Sequence, residues 1–332
     1  MKALLSRDAG GPETLVLEDL PSPKAKPGFA VIEVNAVGVN YPDVLFIEDR
    51  YQVKPQRPFA PGGEISGVVK EIGEGVVNVK RGDRVLGITD WGGMAEEIAV
   101  EAGRLIRIPD AMPFDEAAAF ILAYGTSYYA LKDRGCMEPG ESLLVLGAGG
   151  GVGLAAVELS RAMGGRVIAA ASSQEKVDQA LARGAESAVV YPPGPFDRDG
   201  RKALAKLFKQ AVGPNGIDLV YDGVGGDYTE AALRSIAWQG RLLVIGFPAG
   251  IPRVPLNLPL LKGSEIVGVR SGSAMERDPA AHQKNVKELL DFYAAGKIRP
   301  YVSEHFPLDR AAESIAHLAS RKAVGKVVVM VG

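Results

Sequence analysis

The chain has 332 residues, with 38 lysines and arginines against 40 aspartates and glutamates, and one cysteine. At about 150 residues per domain its length suggests two domains, and balanced charge without a basic run or stripe argues against nucleic acid as a partner. No apolar stretch reaches the ~20 residues of a membrane span, the start MKALLSRDAGG lacks a hydrophobic signal core, and the lone Cys136 allows no internal disulfide, so a membrane partner is excluded and the reducing cytoplasm is the expected location.

Up to about Pro109 the pattern is short and β-like. FAVIEVNAVGV, EISGVVKEIGEG, DRVLGI and MAEEIAV are apolar or alternating runs separated by PG, GEG and RGD, which suits a compact barrel-like β domain. The helical stretch FDEAAAFILAYGTSYYALKDRG follows. From Glu141 the rhythm changes. Strand SLLVLG leads into helix GVGLAAVELSRAMG, stopped by Gly164 and Gly165. RVIAAA gives way to SSQEKVDQALARG, where Ser172 or Ser173 can cap the helix and Gly184 ends it. SAVVY, DGRKALAKLFKQAV, IDLVYDGVG, YTEAALRSIAWQG and RLLVIGF continue the alternation, which implies a doubly wound parallel sheet with right-handed crossovers. After Phe247 the chain turns proline-rich. A strand EIVGVRSG, helical segments over 280–295 and 309–320, and a strand GKVVVMV finish it. The last strand returns most economically to the first domain. The expected division is therefore 1–122 with 260–332, and 123–259.

Gly147, Gly149, Gly150, Gly151 and Gly153 crowd the junction of SLLVLG with the following helix. Exposed N–H groups and the positive helix end favour a phosphate there, and bare backbone lets the chain turn tightly and approach a pyrophosphate. The spacing Gly147-x-x-Gly150-x-x-Gly153, with Val152 in the opening turn, predicts a dinucleotide site. An acid about 20 residues on would mark NAD, but Ala170, Ala171 and Ser172 stand there instead. Ser172 and Ser173 can donate hydrogen bonds, and Lys176 supplies a positive charge one turn into the helix. This set favours a 2′-phosphate, hence NADPH.

His282, His305 and His317 all lie in the last fifth of the chain, so no Cys/His zinc cluster can be assembled from the first 281 residues. No ligand-spaced carboxylate cluster suggests magnesium. No metal is expected.

The whole chain resembles the zinc-free quinone oxidoreductase (zeta-crystallin-like) branch of the medium-chain dehydrogenase/reductase superfamily. The likeness rests on VGVNYPD (Val37–Asp43), PFAPGGEISGVV (Pro58–Val69), VKRGDRV (Val79–Val85), AYGTSYYAL (Ala123–Leu131), GAGGGVG (Gly147–Gly153) and the final VGKVVV. It implies an α/β fold: a GroES-like β-barrel plus a Rossmann domain, with the C-terminal segment returning to the barrel. The zinc branch has a Cys-His pair where this chain has Asn40-Tyr41, and a histidine where it has Gly63 before Glu64.

The resemblance also implies site residues. Asn40 matches the family's active-site asparagine and would orient the nicotinamide or the acceptor oxygen through its amide. Tyr51 matches an active-site tyrosine that could donate a hydrogen bond or a proton to a developing oxyanion, while a second family tyrosine is Phe46 here. Thr126 and Phe247 would lie by the nicotinamide, and Tyr191 by the adenosine phosphate. Arg270, in a polar turn after a strand, is a candidate on the substrate side. The expected activity is NADPH-dependent hydride transfer to a small electrophilic acceptor, a quinone or an enone. An enoyl thioester of coenzyme A is the alternative, and an NADPH-binding structural or nucleic-acid-binding protein is the alternative of another class. A homodimer through the sheet-edge strand EIVGVRSG is expected.

Overall fold

The β-like runs of the first third form one antiparallel sheet. A ribbon of β1 (Lys2–Leu5) and β2 (Val16–Asp19) precedes it. The sheet is then laid down by β3 (Phe29–Val39), helix α1 (Tyr41–Ile47), β4 (Glu64–Ile72), β5 (Arg84–Ile88), β6 (Glu97–Glu101) and β7 (Leu105–Arg107). Alternation along β3, shifted by one residue at the irregularity between Val34 and Ala36, sends Ile32, Val34 and Val37 into a core shared with Ile65, Val69, Val85 and Met94. The long helix expected after Pro113 is broken into α2 (Phe114–Ala118), α3 (Ile121–Tyr128) and a wider π-helical turn over Tyr129–Arg134. The carbonyl of Ala118 lies against Gly38, where a Cβ would come within 1.9 Å of it.

The second part alternates as its sequence suggests: β8 (Ser142–Leu146), α4 (Gly151–Ala162), β9 (Arg166–Ala171), α5 (Gln174–Ala182), β10 (Ser187–Val190), α6 (Arg198–Val212), β11 (Ile217–Asp222), α7 (Asp227–Leu233) and β12 (Ile236–Val244). α8 (Asn257–Lys262), β13 (Glu265–Gly268), α9 (Ser271–Arg277) and α10 (Pro279–Ala294) follow. The six strands run parallel in the order β10-β9-β8-β11-β12-β13, the doubly wound Rossmann order, with the switch of direction beside β8. The chain then returns through β14 (Val302–Pro307), α11 (Ala311–Ala319) and β15 (Lys326–Met330), and β15 pairs antiparallel with β3.

The structure, a computed structural model, describes residues 1–332. They divide into Met1–Leu122 with Pro300–Gly332, and Ala123–Arg299. The expected return at residue 260 thus falls at Pro300. The proline-rich stretch that reads as a boundary is the crossover, through α8, to a sixth parallel strand: β13 lies beside β12 from Arg241↔Glu265 to Val244↔Gly268. α10 is held in the same unit, where Lys132 donates to Asn285 at 2.9 Å and Tyr128 to Glu288 at 2.9 Å.

Candidate functional site

The glycine loop leaves β8 at Gly147, whose φ of 73° a side chain would resist. The N–H groups of Gly147 and Ala148 both donate to Ala170 O, at 2.9 and 3.0 Å, and tie the loop to β9. Gly150 takes the N-cap position of α4. A Cβ at Gly153 would come within 2.2 Å of Gly147 O, so only glycine lets the helix start this close to the turn. The N–H groups of Gly151 and Val152 belong to the first turn and have no intrahelical carbonyl to meet. The result is a cradle of bare backbone at a positive helix end, suited to a diphosphate.

The neighbouring residues converge on this cradle. Lys176 lies across Gly149, where a Cβ would be 2.4 Å from the lysine Cβ. Burial pulls the Lys176 ammonium below the ordinary lysine range. Ser173 caps α5, its hydroxyl accepting from Lys176 N at 3.4 Å, while Ser172 is exposed beside it. Tyr191 is buried, tilted on Tyr228 at 4.8 Å, and its raised phenol faces the Gly147 backbone. Phe247 follows β12, half-exposed, and stands over Gly225.

One feature of this edge has no signal in the sequence. Asp222, at the end of β11, accepts from Val224 N, Gly225 N and Thr229 Oγ1 at 3.0, 2.8 and 2.5 Å, and so shapes the loop beneath Phe247. Burial raises its pKa. Thr126 is hydrogen-bonded to Ser271 at 3.0 Å. Arg270 precedes α9, exposed, and donates to Ser273 at 2.7 Å.

In the barrel unit, Asn40 takes the N-cap position of α1, yet its side chain does not cap. The backbone does: Asn40 N donates to Asp43 Oδ2 at 2.7 Å, and Asp43 N to Asn40 O at 3.0 Å. Asp43 Oδ1 accepts from Gly62 N at 2.9 Å, which fastens α1 to the stretch leading into β4. The Asn40 side chain turns instead into a buried polar cluster. Its Nδ2 donates to Gly38 O and to Glu64 Oε2, both at 3.0 Å, and its Oδ1 accepts from Lys326 Nζ at 2.6 Å. Lys326 also meets Glu64 Oε2 at 2.8 Å, with side chains 6% and 0% exposed. The other Glu64 oxygen accepts from Leu122 N, in the first turn of α3, at 2.8 Å.

This network determines the amide's orientation, because a lysine can only donate while a carboxylate and a carbonyl can only accept. Both Nδ2 hydrogens are committed. The expectation that Asn40 acts through its amide therefore narrows to its remaining Oδ1 lone pair. Glu64 and Lys326 were not singled out from the sequence, although a lysine opening the apolar run KVVVM was a signal. Tyr51 follows α1 and is 36% exposed; its ring tilts on Phe46 at 4.6 Å, and Phe46 in turn meets Trp91 edge-on at 5.8 Å. Aromatic packing thus holds the phenol, and no hydrogen bond ties down its hydroxyl. No group of three or more histidine, cysteine, aspartate or glutamate side chains is arranged to hold a metal ion.

Comparison with known proteins places these features in context. The alcohol dehydrogenase GroES-like domain model matches residues 26–110, and a zinc-binding dehydrogenase model matches 183–329. Quinone oxidoreductase-like protein 2 of Bos taurus is 38% identical over 95% of this chain and 88% of its own length. The quinone oxidoreductase of Thermus thermophilus, also solved with NADPH, is 34% identical with a TM-score of 0.82, covering 100% of both chains. A mycobacterial protein solved with NADPH is 29% identical with a TM-score of 0.90, covering 99% of this chain and 100% of its own.

Proposed function

The chain belongs to the medium-chain dehydrogenase/reductase family, among the quinone oxidoreductases, and from this we propose that it is an NADPH-dependent reductase of quinones and α,β-unsaturated carbonyls that works without zinc. One observation carries the reading: the bare cradle from Gly147 to Gly153, with Lys176 laid over Gly149.

NADPH supplies a hydride when bound. Gly149, Gly151 and Val152 would hold its diphosphate through backbone N–H groups, and Ser172, Ser173 and Lys176 its 2′-phosphate. Tyr191, Thr126 and Phe247 would line the rest of the site. Asn40, with only a lone pair to offer, would accept an N–H from the carboxamide and so fix the ring's orientation. Tyr51, its hydroxyl uncommitted, would donate to the acceptor oxygen as negative charge gathers there. A metal is not needed for that charge, and the donor set does not suit zinc. The positions of the zinc branch's sulfur and imidazole ligands hold Asn40 and Gly63, and the remaining carboxylate, Glu64, is already paired with Lys326.

Two further readings belong here. The β13 edge of the sheet, with Trp238, Leu260, Leu261 and Ile266 exposed around it, supports a homodimer. No helix is long and apolar enough to cross a membrane, and the cytoplasmic assignment continues to rest on the single cysteine.

The test is NADPH oxidation assayed in parallel with a 1,4-quinone, an enone and an enoyl-CoA, with and without 1,10-phenanthroline. Quinone and enone turnover that survives the chelator is expected. Absence of turnover with every acceptor would sink the enzymatic reading, and chelator-sensitive activity restored by zinc would sink the zinc-free one.

A further inference from the structure

We infer that Lys326 is a positioning residue: its ammonium dictates which end of the Asn40 amide is available to an incoming group. The inference rests on the reading of Asn40 given above and extends it to a residue outside the nucleotide cradle.

The geometry allows little else. Lys326 Nζ has three hydrogens and meets three acceptors: Asn40 Oδ1 at 2.6 Å, Glu64 Oε2 at 2.8 Å and Val39 O at 3.4 Å. Glu64 Oε2 is shared between Lys326 and Asn40 Nδ2. Gly38 supplies the remaining acceptor for Nδ2, and a Cβ at Gly38 would come within 2.9 Å of Glu64 Oε2. Rotating the amide by 180° would aim Nδ2 at the ammonium and Oδ1 at the carboxylate, placing donor on donor and acceptor on acceptor. Lys326 and Glu64 together thus hold Asn40 so that Oδ1 keeps one lone pair and no N–H is left over. The group recognised is an N–H or O–H donor, such as a carboxamide or a hydroxyl; a carbonyl oxygen or an oxyanion is refused.

A buried ion pair could also be present for stability alone, and the two roles separate in one double variant. Lys326→Met alone strands the Glu64 carboxylate without its counter-ion and is expected to lower Tm. Glu64→Gln with Lys326→Met removes both charges, and the carbonyl of the introduced glutamine can still accept from Leu122 N. Its other terminus is then an NH2 facing Asn40 Nδ2, donor on donor, which takes away the acceptor of one Nδ2 hydrogen and leaves Gly38 O alone to hold the amide. The double variant should therefore recover most of the Tm lost by Lys326→Met, yet turn over NADPH with a 1,4-quinone at least tenfold more slowly than the unsubstituted protein.

A second readout needs no turnover. In 15N–1H correlation spectra the Asn40 side-chain pair, identified by its loss in Asn40→Ala, should show both hydrogens protected from solvent exchange. One should become fast-exchanging in the double variant. Recovery of turnover in step with Tm, or an Asn40 pair that exchanges freely in the unsubstituted protein, would overturn the positioning role. An unsubstituted protein inactive with every acceptor would instead count against the proposed function, while the exchange measurement would still decide the role of Lys326.

Discussion

Lys176 rests on Gly149, stem against bare Cα, so closely that a methyl there would lie 2.4 Å from the lysine Cβ. The contact sets the lysine stem against the cradle. Lys176→Ala should raise the KM for NADPH by about 10- to 100-fold, equivalent to roughly 1.4–3 kcal/mol for one charge-assisted contact, and change the KM for NADH less than twofold. Gly149→Ala should produce a weaker version of the same selectivity loss by pushing the stem aside. Parallel steady-state kinetics with the two nucleotides make the check, and equal losses on both would remove Lys176 from the phosphate site.

Gly153 meets backbone rather than a yielding side chain. Its Cβ would come within 2.2 Å of Gly147 O, so Gly153→Ala should widen the turn, lower Tm by several degrees and weaken both nucleotides alike. Thermal melts with and without NADPH would show it. An alanine variant with unchanged Tm and affinity would mean that the close approach is not needed.

Tyr51 owes its position to Phe46 and its proposed chemistry to an uncommitted hydroxyl. Tyr51→Phe keeps the stacked ring and deletes the donor. It should lower kcat by on the order of 10- to 100-fold, with the KM for NADPH within twofold and Tm unchanged. An undiminished kcat would assign oxyanion stabilisation elsewhere.

Asp43 gives the barrel a pH signature. Burial pushes its carboxyl up to about 6, outweighing the N–H groups of Asn40 and Gly62 and the nearby Lys326 charge, while Glu64 adds to the rise. Between about pH 4 and 6 the folded chain keeps this proton and the unfolded chain releases it. The carboxyl's contribution to stability is therefore full below that window and is lost as pH rises through 6. Asp43→Asn removes the titration. The gap in unfolding free energy between wild type and Asp43→Asn should shrink by on the order of 2–3 kcal/mol from pH 4 to pH 7, measured by chemical denaturation at each pH. A constant gap would show that Asp43 titrates normally.

At the sheet edge, Ile266 on β13 is exposed beside Leu260 and Leu261. Ile266→Lys should shift the proposed dimer to monomer in light scattering, without loss of Tm beyond what separation of the subunits explains. A wild-type chain that is already monomeric at micromolar concentration would dispose of the dimer.

The nucleotide cradle could be read from sequence because it is local: a strand, a glycine turn and a helix within about twenty residues carry both the shape and the chemistry. Lys176 was legible for the same reason, one turn into the next helix. The cluster around Asn40 was not. Glu64 and Lys326 meet only because β15 pairs with β3 and β3 with β4, and no periodicity in GGEISGVV or GKVVVMV links two segments so far apart. The end of the parallel sheet is not legible in the sequence because EIVG is short enough to suit either unit. Its place beside β12 is decided by pairing, which a single sequence does not display.

Val327 of β15 pairs with Val39 of β3 in the register that joins the returning strand to the antiparallel sheet. During translation β3 emerges early and must wait for this neighbour until the whole of Ala123–Arg299 has left the ribosome. The Rossmann unit, continuous in the chain, has all its strands available first. Glu64 and Asn40 receive their ammonium only when β15 docks, so nucleotide-binding competence should precede reductase competence in a nascent chain.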